Sequence, residues 1–233
     1  MIIPTTRPDL LPRALRSVAA QTMPPLEVLA VCDGGPPPDA GTWPFPLRAV
    51  GIAPRQGPSA VRNAAVALSR SDHVAFLDDD DEWLPEHLAA LAPSAERHLA
   101  FSDAIVTHEG EGWSRRFAFR FTPALLRRTN PIILSGVAMP KRAFWEVGGF
   151  DPTLRRYEAW DLFLRVQAAG TQIVRVPRAT LHYRFSDRSV TADDQAMEDA
   201  FAVFRSRHGL IDLPRASFAS MLTDPRFAKD RED

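Results

Sequence analysis

Along the first 81 residues, segments whose apolar residues recur at helical spacing alternate with segments whose apolar residues follow a strand pattern. This alternation limits the possible folds more than any other feature of the sequence. Leu11, Leu15 and Val18 recur at helical spacing, whereas residues 26–32 form a nearly continuous apolar run. Such a run is typical of a parallel strand buried on both faces. Further segments follow at residues 47–52 (strand), 58–70 (helix) and 73–77 (strand). This order predicts an α/β fold with an open, mostly parallel sheet and flanking helices.

The second half of the chain has a less regular pattern. Strands are expected at residues 99–107, 117–121, 172–176 and 180–185, and helices at 141–147, 157–169 and 192–208. Asp9 is a candidate N-cap for the first helix because its side chain can accept a backbone hydrogen bond. The last ten residues are polar and are expected to fray.

Charge and cysteine content exclude several classes of protein. The 233 residues carry 28 Lys and Arg against 29 Asp and Glu, so no basic excess indicates a nucleic-acid partner. The single cysteine, Cys32, rules out an intrachain disulfide and a cysteine-rich zinc site. Neither a long apolar run nor a signal-peptide pattern is present. A cytoplasmic protein is therefore expected.

Four consecutive carboxylates follow the strand predicted at residues 73–77, and we call them the acidic segment: Asp78, Asp79, Asp80 and Asp81. In an extended segment Asp78 and Asp80 would share one face and the other two the opposite face. Ligand sites of open α/β sheets lie at the carboxyl ends of strands, and clustered carboxylates suit a hard divalent cation. An acidic loop that caps a helix is the alternative interpretation.

Two further residues stand at positions suited to ligand binding. Asp33 follows the predicted strand at residues 26–32, where a carboxylate can accept from a base N–H or a ribose hydroxyl. Arg62 lies in the first turns of the second predicted helix, where it could bind a phosphate or a base. An ordinary turn aspartate and a solvated helix arginine are the respective alternatives.

Taken together, these segments resemble family 2 glycosyltransferases. The resemblance spans residues 2–192 in the family's order. The matching segments are residues 2–11, 17–22 and 26–34, the pair Arg62-Asn63, residues 76–85 with the D-x-D and W-L-P patterns, and residues 136–137, 147–151 and 160–165.

The resemblance implies a single glycosyltransferase-A-type domain over residues 1–233. Residues 1–98 would bind the nucleotide-sugar and residues 99–233 would form a smaller acceptor half. It further implies a nucleoside-diphosphate sugar donor, Mn²⁺ or Mg²⁺, and inverting transfer to an acceptor hydroxyl on a saccharide, lipid-linked or small molecule. By position, the nucleotide-sugar-binding residues would be Pro4, Thr5, Arg7, Asp33, Arg62, Asp78 and Asp79. Asp80, with Asp78, would hold the metal.

The sequence departs from the family where the general base is usually found. The family's Glu-Asp pair reads Glu158-Ala159 here, so Glu158 and Asp161 become the candidate catalytic carboxylates. Asp161 has an alternative role as the i,i+4 partner of Arg165. Ser186 replaces a histidine of many members, and nearby His182 could contact metal or phosphate or simply belong to a strand.

Five arginines interleaved with phenylalanines could meet an anionic acceptor or a membrane surface at the inner face: Arg115, Arg116, Arg120, Arg127 and Arg128. A hairpin with a solvated basic face is the alternative.

Two other functions remain open. One is a family member that binds nucleotide-sugar but has weak or lost transfer and serves as a partner subunit. The other is a nucleotidyltransferase, which is disfavoured because residues 4–9 lack the glycines of a triphosphate-binding loop.

Overall fold

A computed structural model describes residues 1–39, 41–108, 110–185 and 194–232. The strands are β1 (Ile2–Thr5), β2 (Val28–Asp33), β3 (Leu47–Ile52), β4 (His73–Ala75), β5 (Glu82–Trp83), β6 (Leu99–His108), β7 (Trp113–Phe117), β8 (Val137–Pro140) and β9 (Ile173–Phe185). The helices are α1 (Leu11–Ala19), α2 (Pro58–Leu68), α3 (His87–Ala95), α4 (Pro123–Leu126), α5 (Lys141–Glu146), α6 (Glu158–Ala168), α7 (Asp194–His208) and α8 (Phe218–Thr223).

The strands form two groups that join edge to edge. In the first group β1, β2 and β3 are parallel neighbours in that order. In the second group the order is β4-β8-β6-β9-β5, with β7 paired to β6 and with mainly antiparallel pairs. A parallel bridge between Ile2 and Phe76 links the groups. The predicted α/β fold is thus confirmed, parallel in its first half and mixed in its second.

Helices cover both faces of this sheet. On β2, Ala30 belongs to one apolar cluster while its neighbours Leu29 and Val31 belong to another, as strand alternation requires. The first cluster includes residues of α1 and α3, and the second includes residues of α2, α5, α6 and α7. Both clusters are fully buried at their centres, so the sheet is a rigid platform for the loops at its edge.

Several local predictions are wrong. Asp9 does not cap α1, because Leu10 is the N-cap residue and makes no side-chain cap bond. The strands expected at residues 172–176 and 180–185 are one strand, β9, which continues past Pro177 with a register shift against β6. The strand expected at residues 117–121 lies earlier in the chain, as β7, which ends at Phe117. No sequence pattern predicts β5, β8, α3, α4 or α8.

The C-terminal tail is packed rather than frayed through residue 232. Phe227 is 4% exposed within the first cluster. Arg231 bridges to Phe119, and the backbone N–H of Glu232 donates to the carbonyl of Ala118 at 3.0 Å. An ion pair at 2.6 Å between Arg175 and Glu232 adds to these contacts. Apolar burial and backbone pairing therefore hold a segment whose composition suggested disorder.

None of the described helices is long and apolar enough to cross a membrane.

Candidate active site

The acidic segment lies where the first-half strands end. Leu77, the residue before the acidic segment, donates its backbone N–H to the carbonyl of Ile2 at 3.1 Å, so the chain that leads into the segment runs beside β1. The backbone N–H of Asp81 then donates to the carbonyl of Asp78 at 3.2 Å, so the segment turns back on itself. The expected alternation of faces is therefore wrong. Asp79 and Asp80 are neighbours in space, and one nitrogen of Arg7 binds both.

Arg7 and Thr5 hold these two carboxylates. Arg7 Nη2 lies 2.8 Å from Asp79 Oδ1 and 2.6 Å from Asp80 Oδ2. Thr5 Oγ1 donates to Asp79 Oδ2 at 2.6 Å. Burial raises the pKa of Asp79, and the Thr5 hydrogen bond and the Arg7 charge only partly oppose that effect. The loop after β1 is thus tied directly to the acidic segment.

Asp78 is bound by a buried arginine that also reaches the second half of the chain. Arg62, which is 6% exposed, donates from Nη2 to Asp78 Oδ1 at 2.6 Å and from Nη1 to Glu158 Oε1 at 3.3 Å. Burial alone would lower the pKa of Arg62, but the charges of Asp78 and Glu158 raise it. Burial also raises the pKa of Glu158, an effect that Arg62 opposes. One cation therefore connects two predicted site carboxylates.

A second connection between α2 and the later chain keeps this arrangement in place. Asn63 Nδ2 donates to the carbonyl of Phe150 at 2.8 Å, and the N–H of Phe150 donates to Asn63 Oδ1 at 2.9 Å. Gly149 has φ of 71°, and a Cβ there would come within 2.8 Å of Asn63 Oδ1. Glycine is therefore required beside the amide of Asn63.

Asp33 ends β2, as predicted, and its carboxylate supports a loop. Oδ1 accepts from the N–H of Gln56 at 2.7 Å, and Oδ2 accepts from the N–H of Gly57 at 2.9 Å. These bonds fix the turn that begins α2, the helix that carries Arg62. The structure thus gives Asp33 a loop-holding role, and its contact with a nucleoside stays a prediction.

Asp161 makes a buried ion pair. Its Oδ2 lies 2.6 Å from Arg165 Nη2, and its Oδ1 lies 2.9 Å from His208 Nε2. Although burial opposes the effect, these two partners lower the pKa of Asp161. The carboxylate is fully buried, which favours the ion-pair interpretation over a catalytic one. Ala159, to which the resemblance assigns the position of the usual base, lies on the same helix.

Three residues that sequence reasoning missed organise the acidic segment. Ser135 Oγ donates to Asp81 Oδ2 at 2.5 Å and accepts from the N–H of Asp78 at 3.1 Å. Asp81 Oδ1 accepts from the backbone N–H of Arg184 at 3.1 Å, and Arg13 donates to the carbonyl of Asp80 at 2.6 Å. Burial raises the pKa of Asp81 well above its ordinary value. The partners of Ser135, Arg184 and Arg13 are distant in sequence, so no local sequence pattern indicates these roles.

The remaining predicted residues have simpler surroundings. Pro4 lies in β1 opposite Val31 and offers no polar side-chain atom. His182 lies in β9, with its Nε2 at 2.8 Å from Thr107 Oγ1, as in the strand interpretation. Ser186 lies outside the described residues. The five arginines of the basic stretch are exposed, and two of them pair with acids: Arg116 with Asp103, and Arg128 with Asp230.

The acidic segment offers the donor type that a hard cation requires. Within the described ranges, no three His, Cys, Asp or Glu side chains converge as a ready-made metal centre. However, Asp78 and Asp80 keep side-chain exposures of 33% and 35%, and each has one carboxylate oxygen to which no described residue bonds. Mg²⁺ is usually held by one or two carboxylates together with substrate phosphates. The residues therefore fit that mode of binding.

Comparisons with known proteins show what the chain is similar to. The family model described as glycosyl transferase family 2 matches residues 1–150. The Bacillus subtilis (strain 168) protein named uncharacterized glycosyltransferase YwdF is 30% identical over 243 residues, which cover 98% of this chain and 90% of that protein. The putative colanic acid biosynthesis glycosyl transferase WcaA of Escherichia coli (strain K12) is 27% identical over 174 residues, covering 67% of this chain and 59% of WcaA.

A solved structure shares the fold. The structure of S. aureus TarS residues 1–349 in complex with UDP-GlcNAc matches with a TM-score of 0.69 and 17% identity, covering 94% of this chain and 67% of that one. At this identity the likeness shows a common glycosyltransferase-A-type architecture and nothing about the ligand of the present chain.

Proposed function

The chain belongs to glycosyl transferase family 2, and from that premise we propose that it is an inverting, metal-dependent enzyme in which Glu158 serves as the general base. It moves a sugar from a nucleoside-diphosphate sugar to an acceptor hydroxyl. The observation that carries the proposal is the position of Arg62 between Asp78, in the acidic segment, and Glu158, at the start of α6. Arg62 brings a candidate base to the carboxylates that would hold the donor.

The environment of Glu158 suits a base. Its side chain is 17% exposed, and burial raises its pKa above the ordinary value of 4.5. A carboxylate with a raised pKa accepts a proton more readily, so the direction of this shift favours proton abstraction by Glu158. The N-terminal end of α6 adds a favourable field for the ionised form.

The transfer then needs three changes of bonding. The acceptor O–H breaks and its proton passes to the Glu158 carboxylate. The acceptor oxygen bonds to the anomeric carbon from the face opposite the donor's diphosphate, while the bond from that carbon to the diphosphate oxygen breaks and the electron pair leaves on the diphosphate. Attack from the opposite face inverts the anomeric centre.

Asp78 and Asp80 would hold Mn²⁺ or Mg²⁺ together with the diphosphate of the donor. When bound, the cation would supply positive charge to the departing diphosphate. Arg7 lies beside both Asp79 and Asp80 and provides a second cation at the same place. Thr5 and Asp33 would shape the nucleoside pocket through the loops that they hold.

A UDP-sugar is the first donor to test, because the TarS complex contains UDP-GlcNAc in the same fold. Release of the nucleoside diphosphate with a panel of UDP-sugars and acceptors would be measured for the wild type, Glu158→Gln and Ala159→Asp. Glu158→Gln should reduce turnover by roughly 10²–10⁴-fold, the usual contribution of a general base. Donor affinity should be nearly unchanged. Ala159→Asp should leave turnover unaltered or lower.

A second candidate function is favoured by Ala159, which stands where the family usually has its base. In that case the protein binds nucleotide-sugar with little transfer and acts as a partner subunit. The same variants discriminate the two functions. Ala159→Asp would then raise turnover, and Glu158→Gln would have little effect.

A further inference from the structure

Tyr157 has a backbone conformation that its residue type disfavours. Its φ of 61° and ψ of 13° place it in the left-handed helical region, and it is the one non-glycine residue with positive φ in the described part of the chain. Left-handed φ crowds the Cβ of a bulky residue against the backbone. Such conformations persist where surrounding structure enforces them, and they concentrate at functional sites.

The ring of Tyr157 is held by helix α7. Its centroid lies 5.1 Å from that of Phe201 and 5.6 Å from that of Phe204, and both phenylalanines are at most 1% exposed. The ring of Trp160, in the first turn of α6, belongs to the same aromatic group, with its centroid 4.5 Å from that of Phe204. These contacts fix the ring, and the ring in turn fixes the backbone turn to which it is attached.

A polar contact between the same two helices adds to the aromatic one. His208, at the end of α7, lies 2.9 Å from Asp161, in the first turn of α6. Arg207 forms an ion pair with Asp151, seven residues before Glu158. Helix α7 therefore holds both the start of α6 and the loop that leads into it.

The turn at Tyr157 determines where Glu158 points. The carbonyl of Tyr157 accepts the N–H of Asp161 at 2.9 Å, so α6 begins immediately after the left-handed residue. Glu158 is the first residue of that helix, and its Oε1 lies 3.3 Å from Arg62 Nη1. With right-handed or extended φ at Tyr157, the chain would enter α6 from another direction and α6 would have to rotate or shift.

We propose that Tyr157, held in the left-handed conformation by Phe201 and Phe204 of α7, is a positioning residue that aims the Glu158 carboxylate at Arg62. The inference rests on the proposed function, since Glu158 is the base there. It assigns α7 a role in turnover although none of its described residues bonds to the acidic segment.

The test distinguishes three effects: a change at Tyr157 itself, loss of the support that Phe204 gives to its ring, and a general loss of stability. Tyr157→Val removes the ring that packs on Phe201 and Phe204, and it also resists left-handed φ because valine is β-branched. Phe204→Ala removes the support, and Phe204→Leu is a milder form of the same change. Tyr157→Phe keeps both ring and backbone. Phe227→Ala is the matched control, because Phe227 is similarly buried in the other apolar cluster.

With a UDP-sugar as donor, Tyr157→Val and Phe204→Ala should lower kcat at least tenfold, and Phe204→Leu should lower it less. Donor KM and the Kd for UDP with Mn²⁺ should stay within twofold. Tyr157→Phe and Phe227→Ala should keep wild-type kcat, the latter despite a reduced Tm. The inference is overturned if Glu158→Gln is inactive while Tyr157→Val and all Phe204 variants retain full kcat, or if donor affinity falls together with kcat.

Crystal structures of the wild type and the variants provide a readout that does not need turnover. If the proposed function fails and no transfer is detected, the distance between Glu158 and Arg62 still tests the inference. Loss of that contact in Tyr157→Val or Phe204→Leu, with the contact kept in Tyr157→Phe, supports it. An unchanged contact in all variants overturns it.

Discussion

Arg62 Nη1 lies 3.3 Å from Glu158 Oε1, although the two residues are 96 positions apart in the chain. The same guanidinium binds Asp78 at 2.6 Å and is almost completely buried. A buried ion pair of this kind is costly to assemble and sensitive to the loss of either partner. Its presence makes the protonation of Glu158 dependent on Arg62.

That dependence predicts the pH profile of transfer. The proposed base must be ionised, so kcat should fall as the pH drops through the pKa of Glu158. Burial raises that pKa above 4.5, so the acidic limb should lie above this value. Arg62→Gln removes the charge that opposes the rise and should move the limb of its residual activity to higher pH. Profiles of kcat for both proteins measure this, and a limb that stays in place or moves to lower pH would contradict it.

Asp80→Asn should abolish metal-dependent binding of the donor while leaving the fold intact. Asp80 lies in a turn and its side chain is 35% exposed, so the substitution creates no cavity. Calorimetry with UDP and Mn²⁺ measures the change. Asp9→Asn is the control, because it removes one exposed carboxylate outside the site. Unchanged affinity in Asp80→Asn would show that Asp80 is not a metal ligand.

Arg7→Ala should increase the affinity of the nucleotide-free protein for Mn²⁺. Arg7 occupies one oxygen each of Asp79 and Asp80 and is itself 52% exposed. Because an exposed ion pair contributes up to about 1 kcal/mol, the gain should be about two- to fivefold. Electron paramagnetic resonance of free Mn²⁺ reports the affinity directly. Weaker Mn²⁺ binding in the variant would mean that Arg7 supports the cation site instead of competing for it.

Asp33→Ala should weaken nucleotide binding even without metal. A hydrogen bond to a charged acceptor contributes about 1.5–3 kcal/mol, so the Kd for UDP should rise by roughly 10- to 150-fold. The substitution also leaves the amides of Gln56 and Gly57 without their acceptor, so Tm should fall. Asp33→Asn keeps one acceptor oxygen, so its Kd for UDP and its Tm should lie between those of the wild type and Asp33→Ala. A lower Tm with unchanged UDP affinity would restrict Asp33 to its loop-holding role.

The first half of the fold was predictable because periodicity and burial agree there. β2 is buried at every position, and the apolar positions of α1 face the core. The second half was harder for identifiable reasons. β8 has four residues and lies between two antiparallel partners, so its sequence carries no alternation of its own. α3 contains Pro93, which local rules treat as a helix breaker.

The site was predictable in composition but not in its pairings. Motifs indicate Asp78, Arg62 and Glu158 one by one, yet the two hydrogen bonds that join them form only because the fold brings α2 next to the start of α6, 96 positions away along the chain. The ion pair between Asp161 and Arg165 followed from i,i+4 spacing and is present. Ser135 gave no signal, because a serine acquires its role only from Asp81, 54 positions away.

The reciprocal hydrogen bonds between Asn63 and Phe150 also limit how the molecule can move. With the Ile2–Phe76 bridge, they fasten strands β1–β3 and helix α2 to the later part of the fold. A clamshell motion about a hinge would have to break both connections at once. Binding and release of the proposed donor should therefore proceed by rearrangement of side chains and loops, on timescales shorter than those of domain closure.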